Sequence, residues 1–253
     1  MSCEAPRTQR VLVAVASYNE RLSLPKLLEE VFRVIPTADV LVIDDASPDG
    51  TGAYCDELAQ KDVRLKCIHR SGKLGLGTAI LASFEYAIAN HYDWLVGLDA
   101  DLSHPPQKIP ELLENAKGCD VAIGSRYVAG GGVQGWPPHR RIASRMINWF
   151  ARYLLGLPVR DCSGGFRCYR VEALAPVLKQ GLQSGGYAIF EEVLLRLAEN
   201  GASFKEIPYL FIDRAQGKSK LSLRESHRAI VALTSLALKR LTRSRRRSSA
   251  NRR

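Results

Sequence analysis

The sequence predicts an α/β fold with a mostly parallel sheet covered by helices on both faces. Three observations carry this reading. Short β-branched apolar runs alternate with segments whose apolar residues recur at helical spacing. Several of the runs end in polar or acidic residues, and in open parallel sheets ligands sit beyond the carboxyl ends of the strands. The chain of 253 residues, 46% hydrophobic and 25% charged, is long enough to bury one full core.

In chain order, the expected strands are Val11–Ser17, Val40–Asp44, Arg64–His69, Trp94–Leu98 and Val121–Ser125. Helices are expected between them at Leu24–Ile35, Gly52–Lys61, Gly77–Asn90 and Pro106–Lys117. The pattern then changes. Gly130-Gly131-Gly132 and Trp136-Pro137-Pro138 read as a flexible loop. A helix follows over Arg141–Leu155, another over Ile189–Asn200, then a strand-like run over Phe204–Ile212. The last expected helix, Leu223–Leu241, has a broad apolar face and leads into a basic tail.

Composition removes several function classes. No apolar run reaches the roughly 18 residues of a membrane span. Met1–Arg10 lacks the apolar core of a signal peptide. The six cysteines form no C-x-x-C pair, so spacing predicts reduced structural thiols and no zinc site. The net charge of +10 is concentrated in Lys239–Arg253, which contains no acid. Such a tail suits anionic lipid head groups, nucleic acid or a solvated end; without interleaved aromatics, nucleic acid is not expected.

The ends of the expected strands hold the candidate chemistry. Asp99-Ala100-Asp101 places two carboxylates one residue apart after an apolar strand. Hard oxygens of this kind suit Mg²⁺ or Mn²⁺, with phosphate oxygens and water completing the shell. A solvated acidic turn is the plain alternative, and the position after a buried strand favours the ligand. Asp44-Asp45 precedes Ala46-Ser47-Pro48-Asp49-Gly50-Thr51, where a carboxylate can accept from a base or ribose while later residues build a turn and cap. Tyr18 and Glu20 end the first strand and offer a ring and a carboxylate for a nucleobase or ribose. Arg126, Arg140, Arg214 and Lys220 are loop cations suited to a leaving phosphate, or ordinary surface charges. Gly75-Leu76-Gly77 lacks the third glycine of a dinucleotide fingerprint and reads as a tightly packed helix start. His69 and His104 lack metal-ligand spacing.

Taken in order, these segments resemble the family 2 glycosyltransferases of the Rossmann-like GT-A fold, and within them the dolichol-phosphate or polyprenol-phosphate mannosyltransferases. The matching segments are Ser17–Glu20, Val42–Thr51, Asp99–Pro105, Gly124–Tyr127, Gly131–Trp136, Ser163–Arg167 and Ser219–Leu221. The resemblance implies an N-terminal extension (1–10), a catalytic domain (11–222), and an amphipathic helix with a basic tail (223–253). It implies that Ala16, Tyr18, Glu20, Ile43 and Asp45 line a nucleotide pocket. Asp99, Ala100 and Asp101 would hold donor and metal. Arg126, Arg214 and Lys220 would hold donor phosphates, with Arg126 counted beside Asp99 and Asp101 as catalytic. Arg140 and Ser144 would meet the acceptor phosphate. This chain has Ala16 where the family often has Pro, and Ser103 where some members have a metal-ligating Gln. Ser103 is thereby a weaker or water-mediated third ligand.

The implied activity is metal-dependent, inverting transfer of mannose from GDP-mannose to a dolichyl or polyprenyl phosphate. The implied setting is peripheral, on the cytoplasmic face of a membrane. A UDP-sugar donor or a hydroxyl acceptor fits the first three clusters equally well. Glu191 and Glu192 are base candidates only for a hydroxyl acceptor, and otherwise begin a helix. A non-catalytic binding protein using the basic tail is the reading from a different class.

Overall fold

In the computed structural model of the chain, residues 9–182, 184, 186–213, 231 and 233–238 are described. The main sheet has seven strands in the order β3-β2-β1-β4-β7-β5-β8. These are β1 (Val11–Ser17), β2 (Asp39–Asp44), β3 (Leu65–His69), β4 (Trp94–Asp99), β5 (Val121–Ser125), β7 (Arg167–Arg170) and β8 (Phe204–Pro208). Two short strands, β6 (Gly132–Gln134) and β9 (Leu210–Ile212), pair in parallel as a second sheet. The helices are α1 (Leu24–Val34), α2 (Thr51–Ala59), α3 (Leu76–Ala89), α4 (Ile109–Ala116), α5 (Pro138–Leu155), α6 (Val171–Lys179) and α7 (Ile189–Glu199).

The two-residue period of the strands divides the core. Leu12, Ala14, Leu41 and Ile43 pack with Phe84 of α3, Leu174 of α6 and Leu194 of α7. Val13, Val15, Val40 and Val42 pack with Leu24, Leu27 and Leu28 of α1 and Leu112 of α4. Both strand faces are apolar because both are covered, as a parallel sheet requires. The expected α/β class therefore holds.

Three expectations are corrected, and one strand was not expected. The segment around Gly132 is not wholly a flexible loop: Gly132–Gln134 is a strand, and Trp136 is buried against Phe211 with ring centroids 5.2 Å apart. The run Phe204–Ile212 divides between two sheets. Pro208, which has no N–H to extend a ladder, ends β8 before β9 begins. The helix expected from Pro106 starts as a short 3₁₀ turn, Pro106–Lys108, and becomes α-helical at Ile109, beside the helix-start Pro110. Finally, β7 runs antiparallel between β4 and β5. Its residues Arg-Cys-Tyr-Arg carry no strand-like apolar run, which is why sequence pattern passes over it.

Strand order reverses at β1, with β2 on one side and β4 on the other, both parallel to it. Open α/β sheets bind ligands in the crevice at such a switch point. Register sets Ala16 of β1 beside Ile43 of β2 and Asp99 of β4. Gly97 lets the 163–165 segment cross β4 closely, since a Cβ there would sit 2.9 Å from the Gly165 carbonyl oxygen. Of the last expected helix, residues 233–238 are helical, with Leu233, Leu236 and Ala237 buried in the α3/α6/α7 core. Most of Leu223–Leu241 and the tail beyond lie outside the described residues. No helix among the described residues is long and apolar enough to cross a membrane.

Candidate active site

A cleft of about 980 Å³ opens at the switch point. Its walls include Ala16, Tyr18, Glu20, Ile43, Asp45, Asp99, Ala100 and Asp101, so eight residues expected from scattered motifs meet in one place. Three strand-to-loop turns build it. Each carries a non-glycine residue in the left-handed region: Asn19 (φ 59°) after β1, Ala46 (φ 54°) after β2 and Leu102 (φ 62°) after β4. Left-handed backbone costs about 1 kcal/mol or more for Ala or Leu, and it clusters where backbone must aim side chains at a ligand.

Asp45 is nearly buried and forms an ion pair with Arg70, which is equally buried. Its Oδ2 accepts the Gly75 N–H at 3.0 Å, and Arg70 donates to the Gly75 carbonyl at 3.0 Å. The glycine-rich segment before α3 is thereby part of the cleft wall. Lys73 Nζ lies 4.0 Å above the Tyr18 ring, and Glu20 accepts from the Ser23 hydroxyl at 2.7 Å. Sequence reading missed Arg70, Lys73 and Gly75. The signal available was two basic residues immediately after a strand and before a glycine-led helix.

On the opposite wall, the Asp99 N–H donates to His104 Nδ1 at 3.1 Å, which assigns the proton of a neutral ring to Nε2. Nε2 lies 3.6 Å from Asp99 Oδ2. His104 is buried, stacked on Phe166 with centroids 5.3 Å apart, as expected of a structural histidine. The Ser103 N–H donates to Asp101 Oδ1 at 3.0 Å and orients that carboxylate. The Ser103 hydroxyl is buried without a hydrogen-bond partner.

A second groove, of about 700 Å³, is lined by Arg126, Tyr127, Arg145, Asn148, Arg152 and Arg160 among others. The structure brings Arg126 here and not to the wall of the first cleft. Asp161 holds it through bonds of 2.7 Å from Nε and 2.6 Å from Nη2, with its backbone N–H at 3.0 Å. Burial alone would discharge both partners. Their mutual attraction outweighs it, holding Asp161 below the usual carboxylate range and Arg126 well above the ordinary guanidinium value. Asn148 of α5 ties this pair to the 162–163 segment, accepting the N–H groups of Cys162 (2.8 Å) and Ser163 (3.1 Å). Neither Asp161 nor Asn148 was legible beforehand, because nothing local marks which acid a buried arginine will meet.

Ser144 contacts the Tyr127 hydroxyl at 2.7 Å. Arg140 pairs with Asp213 at 3.0 Å and lies 4.1 Å from the Trp136 ring centre. Arg214 and Lys220 lie outside the described residues. Glu191 and Glu192 begin α7 and are buried. Glu192 accepts the Ser184 N–H at 2.6 Å. Burial pushes the Glu191 carboxyl up to about 7.

The model of glycosyl transferase family 2 matches residues 12–178, well over half the chain. The chain belongs to glycosyl transferase family 2. It is an enzyme with the GT-A architecture. The transferase is 43% identical over 217 residues to a polyprenol monophosphomannose synthase of Mycolicibacterium smegmatis, covering 85% of this chain and 82% of that one. It is 40% identical over 213 residues to an undecaprenyl-phosphate mannosyltransferase of Micrococcus luteus, covering 84% and 88%. Among solved structures it superposes on glucosyl-3-phosphoglycerate synthase from Mycobacterium tuberculosis, crystallised with Mn²⁺, UDP-glucose and phosphoglyceric acid. The TM-score is 0.63 at 18% identity, over 91% of this chain and 80% of that one. That likeness supports the shared fold.

Proposed function

We propose that this family 2 glycosyl transferase moves mannose from GDP-mannose to a polyprenyl phosphate, with inversion at the anomeric carbon. The observation that carries the reading is the pair of cavities, one walled by Asp45, Asp99 and Asp101 and the other by Arg126, Arg145, Arg152 and Arg160. An acidic cleft recognises a nucleoside through its N–H and hydroxyl donors. An arginine-lined groove suits an anionic phosphate. The names and identities of the two bacterial relatives support the same substrate class.

Tyr18 with Lys73 supports the nucleobase, and Glu20 and Asp45 accept from base or ribose. Asp99 and Asp101 present hard oxygens to the cleft, a donor set that fits Mg²⁺ or Mn²⁺, with Ser103, whose N–H donates to Asp101, as a weaker or water-mediated third position. Bound there, the ion neutralises charge developing on the leaving diphosphate. Arg214 and Lys220 assist that neutralisation. The acceptor phosphate has a second pKa near 6 and is already an anionic nucleophile at neutral pH. It needs positioning by Arg126, Ser144 and Arg140 more than it needs a general base. The buried Glu191 and Glu192 support helix α7 and have no role in the transfer.

The enzyme lies at a membrane surface. On α5, Ile142, Met146, Trp149 and Tyr153 form an exposed stripe at helical spacing, flanked by exposed Arg141, Arg145 and Arg152. Such a face suits the acyl boundary and anionic head groups. The five described cysteines are free, which suits the cytoplasmic side. The domain limits 11–222, with helix and tail over 223–253, are part of the same proposal.

The test is organic extraction of radiolabel after incubation with polyprenyl phosphate and labelled GDP-mannose, UDP-glucose or UDP-N-acetylglucosamine. Extractable label from GDP-mannose alone, lost with EDTA and restored by Mg²⁺ or Mn²⁺, is expected. Label only from a UDP-sugar, or only on a hydroxyl acceptor, overturns the assignment.

A further inference from the structure

The fold assembles a second cluster of metal-binding side chains that the transfer reaction does not use. Cys67 and His69 lie two residues apart on β3, so both point to one face of the strand. Strand β3 is an edge of the main sheet, and α2 packs against it. Asp56 of α2 completes the group. One donor atom from each of the three lies within 4.8 Å of the other two, and His69 Nε2 is 2.8 Å from Asp56 Oδ1. None of the three lines the nucleotide cleft.

The cluster is also preorganised. A Cβ at Gly52 would sit 3.0 Å from His69 Nδ1 and 3.1 Å from Cε1, so glycine here lets the imidazole lie flat on α2. The same point is 3.1 Å from Asp44 Oδ2. The Asp44 carboxylate therefore borders the same gap over Gly52. Asp44 is itself fixed, accepting the Ser47 N–H at 3.0 Å. Cys55 is buried in the core cluster against which Cys67 packs. The Asp56 and His69 side chains are about half exposed, which leaves an entry path and room for water.

We propose that Asp56, Cys67 and His69 form a zinc-class metal site, separate from the Asp99/Asp101 pair. One thiolate, one imidazole and one carboxylate match Zn²⁺, which takes three protein ligands and water in tetrahedral geometry. The soft sulfur and borderline nitrogen select against Mg²⁺ and Mn²⁺, which favour all-oxygen sets. On binding, the Cys67 thiol releases its proton to solvent and the imidazole binds neutral. The cysteine spacing searched in the sequence could not reveal this site, because its ligands are a C-x-H pair plus an acid from another element. His69 directly precedes Arg70, the partner of Asp45, so the ion would anchor the strand end that carries a cleft residue.

The test uses the full chain, reduced and metal-free, titrated with Co²⁺ as a spectroscopic probe. The expected result is a thiolate-to-cobalt charge-transfer band saturating at one equivalent and displaced by Zn²⁺. The band persists in Asp101→Ala and disappears in Cys67→Ser, while His69→Gln and Asp56→Asn weaken binding by roughly tenfold or more. Zn²⁺ raises the thermal midpoint of the wild type and not of Cys67→Ser, a readout independent of activity. Absence of the band in the wild type overturns the proposal. So does a band that survives Cys67→Ser, or an affinity unchanged in both His69→Gln and Asp56→Asn.

Discussion

Removing the carboxylate of Asp161 should be among the most damaging single changes to this protein. The side chain has no solvent exposure and receives N–H groups from Arg126 (backbone, Nε and Nη2) and from Gly164 at 3.0 Å. In Asp161→Ala the guanidinium of Arg126 stays buried with its counter-charge gone. Breaking a buried pair in this one-sided way costs about 3–5 kcal/mol, mostly the penalty of the stranded charge. At roughly 2–4 °C per kcal/mol for a chain near this size, the thermal midpoint should fall by about 6–20 °C. Urea unfolding and calorimetry near pH 7.5 measure both. The double variant Arg126→Met/Asp161→Leu should recover part of the loss, because no charge is then stranded. The sign with pH follows from the depressed carboxyl of Asp161. Its stabilisation is present above the ordinary aspartate pKa and fades as pH falls through the lower folded value. The gap between wild type and Asp161→Ala should therefore narrow in acid. A variant within about 1 kcal/mol of wild type at pH 7.5, or a double variant as unstable as the sum of the singles, would refute the reasoning.

Glu191 gives the opposite pH signature. Its folded pKa of about 7 lies above the ordinary 4.5, so the folded state holds a proton the unfolded chain releases. Wild-type stability should drop by about 3 kcal/mol between those values and level off above, while Glu191→Gln removes that slope; equal urea-midpoint differences at pH 5 and pH 8 would contradict it. Gly97→Ala forces a methyl against the Gly165 carbonyl and should cost about 1–3 kcal/mol by denaturation, with reduced transfer because the 163–165 segment shifts; wild-type stability and rate would show that the close approach is not required. Asp101→Ala should abolish transfer while leaving circular dichroism and the thermal midpoint near wild type; retained activity with metal present argues against the metal role. Replacing both Trp149 and Tyr153 with Ser should weaken sedimentation with anionic liposomes several-fold while sparing hydrolysis of soluble donor; undiminished binding would move the membrane contact elsewhere.

The sequence by itself determined the α/β class, the five strands from Val11 to Ser125 and the residues that end them. Those features are local. An apolar β-branched run flanked by helical spacing has few ways to be buried, and polar residues at its carboxyl end face the crevice of a parallel sheet. Asp45 and the Asp99/Asp101 pair, read as separate acidic clusters at two strand ends, needed only that rule to converge. Only the tertiary structure decided which charges meet. Arg126 reads in the sequence as a loop cation, yet Asp161, thirty-five positions away, makes it half of a buried pair. The antiparallel β7 was equally hidden, since Arg167 is buried by donating to the carbonyls of Cys162 and Phe190 and not by being apolar. The Cys67/His69/Asp56 cluster depends on α2 lying across an edge strand. Burial pattern is written residue by residue along the chain, whereas the partner of a buried charge or a metal ligand is set by which elements the fold brings together.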